Sequence, residues 1–160
     1  MADSLVVGYG NDLRGDDRAG RVVASLIEEA DLPGVQVLSQ SQLTPEVALE
    51  VAKVDLVVFV DASVETETLD VSTVGPGVAE PTTMSHHADP ATMLRLARDL
   101  GEMPTEAYVV SIPATNLDLG FDLSPKTARA VDEAVTDTFS DTTFYLVESA
   151  DTVDCKQAMM

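Results

Sequence analysis

The sequence is 160 residues long, enough for one domain with a single core and no covalent staples. Hydrophobic residues make up 45% of it and aromatic residues only 4%, which describes an interior of Ala, Val and Leu. With 28 acidic against 9 basic residues the formal charge is −19, a surface that repels DNA, RNA and anionic lipid and argues against nucleic-acid and membrane partners.

Met1-Ala2-Asp3-Ser4 has neither the basic start nor the long apolar stretch of a secretory signal, so a cytoplasmic location is expected. Leu5–Val7 reads as a first strand. It runs into Gly8-Tyr9-Gly10-Asn11-Asp12-Leu13-Arg14-Gly15-Asp16-Asp17, a glycine-rich turn that begins like a phosphate loop and ends in two carboxylates. Leu13 stands where a dinucleotide fingerprint has its third glycine, and no lysine follows to make a nucleoside-triphosphate loop. Asp16 and Asp17 would also face the negative charge of any phosphate, so the turn suits a cation. Helix capping explains one acid of the pair, Asp16 more readily than Asp17, because a carboxylate there meets the positive end of the helix.

Ala19, Val22, Val23, Leu26, Ile27 and Ala30 then form one buried stripe of a first helix. Val35–Leu38 is the second strand. Thr44-Pro45 looks like an N-cap with proline at the first helical position, opening a second helix. Leu56–Val60 (LVVFV) is a continuous apolar run, as expected of a strand buried on both faces, and Asp61 ends it. Leu69–Val74 allows a hairpin or edge strand. Residues 75–89 form the one long loop, with Gly75, Pro76, Gly77 and Pro81, and they hold the chain's only two histidines, His86 and His87. Asp89-Pro90 opens a third helix that Gly101 stops. Ala107–Ile112 is a further strand, Ser124-Pro125 opens a fourth helix, and Phe144–Val147 reads as a last strand. Residues 151–160 form a polar tail with the single cysteine, Cys155, which excludes an intramolecular disulfide. No apolar run reaches the length of a membrane span.

Strands alternating with helices predict an α/β fold, a three-layer α/β/α sandwich with a mostly parallel sheet of about five strands, as a single domain over residues 1–150. Ligands of such sheets bind outside the carboxyl ends of the strands. Asp16-Asp17, Asp61 and His86-His87 all fall at that edge. A solvated acid ending a strand accounts for Asp61, and a surface loop pair accounts for the histidines. Two carboxylates and an imidazole from separate elements also suit a borderline transition metal with coordination positions left open.

Gly8-x-Gly10-Asn11-x-Leu13-x-x-Asp16-Asp17-x-x-Gly20, then Val60-Asp61-Ala62, then Ser85-His86 before a Leu/Ala-rich helix, resembles the hydrogenase maturation proteases. Ile112-Pro113, Leu119-Gly120 and Leu123-Ser124-Pro125 are similar to that family too, so the resemblance spans about residues 4–140. It implies an endopeptidase that removes the C-terminal extension of a nickel–iron hydrogenase large-subunit precursor after nickel insertion. It also implies Asp17, Asp61 and His86 as both metal-recognising and catalytic residues, with nickel supplied by the substrate. His86 is preferred to His87 because it keeps the family-like distance to the helix bearing Met93 and Leu94. The chain departs from the family at Arg18, where glycine is usual. Two other readings use some of the same residues. A phospho-receiver domain also has an acid pair near its first strand and an aspartate ending its third, but it needs a lysine that neither Lys126 nor Lys156 is placed to supply. A non-catalytic metal- or partner-binding module would keep the fold alone.

Acidic residues are spread over every predicted helix, the pattern of adaptation to a salty interior. Self-repulsion destabilises a compact chain of this charge when salt is low, and screening relieves it. Thermal melts across a salt series are therefore expected to show the melting temperature rising from dilute buffer to molar salt. A constant melting temperature would assign the acidity another cause.

Overall fold

Side chains alternate between the two faces of β1 (Ser4–Tyr9) and β3 (Leu56–Ser63), and both faces are buried. A computed structural model describes this arrangement over residues 4–77 and 88–138. Val6, Val58, Val60, Val110 and Ile112 meet Ala19, Val23 and Ile27 of α1 (Ala19–Ala30) and Ala130 and Val131 of α4 (Pro125–Glu133). Leu5, Val7, Val57 and Phe59 point the other way. They pack on Val47, Ala48 and Val51 of α2 (Val47–Val51) and on Met93, Leu94 and Ala97 of α3 (Pro90–Asp99). Two apolar layers on one sheet make the predicted three-layer α/β/α sandwich.

The sheet has five strands in the order β2-β1-β3-β5-β4, with β2 at Val35–Gln40, β4 at Asp70–Thr73 and β5 at Glu106–Pro113. The first four pair in parallel, and β4 runs antiparallel along β5, from Asp70 opposite Ser111 to Thr73 opposite Tyr108. All four residues of β4 are exposed, so this is a short polar edge of the kind that resists pairing with other chains. It is the edge strand allowed by Leu69–Val74, and it supplies the fifth strand of the described sheet. The expected strand at Phe144–Val147 and the tail from residue 151 lie outside the described residues.

Helix starts follow the proline signals with two adjustments. Asp89 caps α3 as expected, its Oδ1 accepting the Thr92 amide at 2.8 Å, and Gly101 follows the helix with φ of 116°. Thr44-Pro45 instead forms a turn before α2. Their carbonyls accept from Val47 and Ala48, and Glu46 takes the cap position without a side-chain bond. Ser124 and Pro125 do open α4, but the Ser124 hydroxyl caps nothing in that helix. Its shortest bond is to Asp16 Oδ2 at 2.7 Å, with the hydroxyls of Thr115 and Thr127 at 2.9 and 3.0 Å.

Close approach explains the glycines of the opening turn. A Cβ on Gly8 would lie 2.2 Å from the Gly20 carbonyl oxygen, and one on Gly20 would lie 2.2 Å from the Val60 carbonyl oxygen. Helix α1 therefore starts in direct contact with the backbones of β1 and β3, and its start brings the acid pair to the ends of those strands. Among the described residues no helix is long and apolar enough to cross a membrane.

Candidate functional site

The chain leaves β1 toward the α1 face, and after β2 it returns by α2 on the opposite face to reach β3. Connections that part in this way open a crevice at the carboxyl ends of the two central strands. The crevice here is a cleft of about 290 Å³. It is lined by Tyr9, Gly10, Asp17 and Asp61, by Ser41–Leu43 before α2 and by Ala88-Asp89 before α3.

Sheet register puts Tyr9 and Asp61 together. Gly8 is opposite Val60, so the next residue on each strand, Tyr9 and Asp61, projects to the same α2/α3 face. Burial pushes the Asp61 carboxyl up to about 6; the Ala62 amide opposes the rise, the negative charge of Asp17 adds to it, and the Tyr9 hydroxyl opposes it. Burial likewise drives the Tyr9 hydroxyl far above its usual range, with the Asp61 charge and hydrogen bond and the Asp89 charge adding to it. Tyr9 thus stays a donor at any ordinary pH. Asp17 is oriented by the Asn11 amide, which donates to its Oδ2 at 2.8 Å, and the Asn11 side chain in turn accepts the Leu13 amide at 2.9 Å. Two carboxylates facing one cleft favour either a shared proton or a cation.

The acid pair divides. Asp16 is fully buried, and neither it nor Asp17 caps α1, whose cap position belongs to Arg18 without a side-chain bond. Both lie in a 3-10 turn, Gly15–Arg18, that precedes the helix. Asp16 instead reaches the loop after β5. Its Oδ2 accepts the amides of Thr115 and Asn116 at 2.9 Å each and the Ser124 hydroxyl at 2.7 Å, and its Oδ1 accepts the Ser124 amide at 2.7 Å. Burial alone would raise this carboxyl; the three amides and the hydroxyl outweigh it and hold Asp16 well below the usual carboxylate range. It is a permanent anion with its lone pairs taken.

Of the residues singled out in the sequence, Asp17 and Asp61 therefore share the cleft, and Asp16 is withdrawn from it. His86 and His87 lie outside the described residues. Ala88, two positions after His86, lines the cleft. Among the described residues no group of three or more His, Cys, Asp or Glu side chains is assembled for a metal. Arg18 turns away: it lies 3.9 Å from Asp12, its Nη1 donates to the Phe121 carbonyl, and it lines a separate hollow with Asp12 and Arg21. The departure at position 18 thus puts no cation among the residues that line the cleft. The receiver reading loses its acid pair to the sealing of Asp16, and the strand beside β5 runs antiparallel.

Tyr9 is the site residue that sequence reasoning missed. Its signal was available: an aromatic residue between Gly8 and Gly10 at a strand end, one position past the residue that pairs with Val60 and so beside Asp61. Asp89 was read as a cap only, and it does both jobs, bonding Thr92 and lining the wall.

No family model matches the chain, and no curated protein matches it in sequence. Solved structures do match. The chain is 21% identical to the hydrogenase maturating endopeptidase HybD from E. coli, covering 86% of this chain and 90% of that one with a TM-score of 0.67. An endopeptidase from Escherichia coli gives 23% identity, coverage of 93% and 94%, and a TM-score of 0.71. The [NiFe] hydrogenase maturation protease HybD from Thermococcus kodakarensis gives 22% identity, coverage of 84% and 95%, and a TM-score of 0.59. The chain and these proteins share one fold over nearly their whole lengths.

The raised Asp61 has a consequence for stability. A carboxyl that is easier to protonate folded than unfolded contributes stability below its unfolded value of about 4, and that contribution is lost as pH rises through about 6. Asp61→Asn removes the ionisation. It is expected to stabilise the free protein at pH 7–8 by on the order of 2 kcal/mol, with the gain shrinking to nothing near pH 4. Urea unfolding across that range checks it, and a gain independent of pH would show that Asp61 is not strained by its charge.

Proposed function

We propose that this protein is an endopeptidase that removes the C-terminal extension of a nickel–iron hydrogenase large-subunit precursor once nickel is in place. The observation that carries the reading is the meeting of Asp17 and Asp61 in one cleft at the strand ends of this fold. The likeness to structures named as hydrogenase maturation endopeptidases supports it. Asp17 and Asp61, with His86 from the segment leading to Ala88, complete the coordination of nickel already seated in the precursor. The ion belongs to the substrate. Its arrival supplies the positive charge that two neighbouring carboxylates lack, and binding it holds Asp61 ionised, any proton there passing to solvent.

Recognition and chemistry are joined by position. Holding the ion fixes the adjacent peptide bond against the cleft, and an ion so placed polarises a carbonyl or activates a water. The Tyr9 hydroxyl, protonated at working pH, fixes the orientation of the Asp61 carboxylate from behind, as partners of metal-binding carboxylates commonly do. Asp89 adds a third negative group to the wall.

Precursor prepared with and without nickel separates this reading from its rivals. Wild-type protein is expected to shorten only the nickel-bearing form, as followed by the mass of the large subunit. Asp61→Asn and His86→Ala should each slow that cleavage by about tenfold or more, while His87→Ala should matter less. Equal cleavage of both precursor forms would remove nickel from the mechanism. Cleavage of neither by a well-folded protein would favour a binding module.

A further inference from the structure

On a chain of charge −19, four large apolar side chains stand in the open on one pair of loops. Leu119 is 83% exposed, Phe121 66%, Leu13 54% and Leu117 39%. Isolated exposed leucines need no explanation, but a cluster on a charged surface does. The loops are also fixed in place. Gly15 donates to the Gly120 carbonyl at 3.0 Å, Gly120 donates to the Leu13 carbonyl at 2.9 Å, and Arg14 Nε donates to the Leu117 carbonyl at 3.3 Å. Asp16 anchors the base of the longer loop through Thr115, Asn116 and Ser124. Eight main-chain groups are thus committed to holding apolar residues in water. The display adjoins the cleft, since Leu13 bonds Asn11, which bonds Asp17.

We infer that this pinned apolar surface docks the folded body of the protein whose chain is cut, while the cleft beside it takes the metal and the scissile segment. The inference rests on the endopeptidase reading. Charge selects the occupant. Asp118 and Asp122 are exposed among the apolar residues, so the matching surface sets lysine or arginine among apolar side chains. A second copy fits poorly. A two-fold contact would bring the same acidic loop against its own copy, between two chains of charge −19.

The test compares steady-state cleavage of nickel-loaded precursor by wild-type protein, the L119S/F121S variant and the charge-reversed D118K/D122K variant. All four positions are exposed, so the fold should survive, and melting curves verify it. Each variant is expected to raise KM, about tenfold or more for L119S/F121S, with kcat within about twofold. Wild-type KM in both variants would overturn the docking surface and leave the endopeptidase reading standing. No cleavage by wild-type protein would overturn both. Sedimentation showing a wild-type dimer that L119S/F121S dissociates would give the surface to a second copy and overturn the inference.

Discussion

One buried carboxylate organises the functional edge of this protein. Asp16 sits where the chain turns from β1 into α1, and it accepts hydrogen bonds from three amides and two hydroxyls on a loop roughly a hundred residues later. An anion in a protein interior persists only when its lone pairs are filled, so the loop after β5 must follow Asp16 wherever the turn puts it. Two consequences come from that one constraint. Asp17, the next residue, is left to face the cleft, and Leu117–Phe121 is held out beside it.

Neighbouring acids therefore meet opposite fates by environment alone. Asp16 is surrounded by donors and stays ionised. Asp61 is buried beside the Asp17 charge, and it is harder to ionise than an ordinary carboxyl. The same contrast separates structure from function at this edge. Satisfied charge holds the loops, and the two less satisfied carboxylates line the cleft. The glycines at 8 and 20 serve this plan by letting α1 lie directly on the strands, which is why a turn that begins like a phosphate loop ends in carboxylates.

Much of the fold was legible in the sequence because its signals are local. The LVVFV run gave a central strand buried on both faces, the stripe from Ala19 to Ala30 gave α1, and Asp89-Pro90 with Gly101 bounded α3. The β4 edge was only permitted by the sequence, since a short polar strand paired on one side carries no hydrophobic pattern. Within the site, the positions of Asp17 and Asp61 followed from where their strands end. The division of labour between Asp16 and Asp17 did not, because it depends on Thr115, Asn116 and Ser124, whose proximity only the folded chain creates. Ser124 does occupy the position that opens α4, but its hydroxyl makes no cap bond there because a better acceptor came from far away. Tyr9 was hidden by its glycine neighbours, which drew attention to the backbone.

The claim beneath all of this is that the ionised Asp16 carboxylate ties the two loops together, and unfolding of Asp16→Ala against pH tests it most directly. A carboxylate whose folded value is depressed contributes stability above its unfolded value of about 4, and that contribution fades as pH falls toward the folded value. The account predicts a variant less stable than wild type by about 3 kcal/mol at pH 7, with the gap narrowing as pH drops below about 4. Equal stability at pH 7, or a gap that does not change with pH, would contradict it.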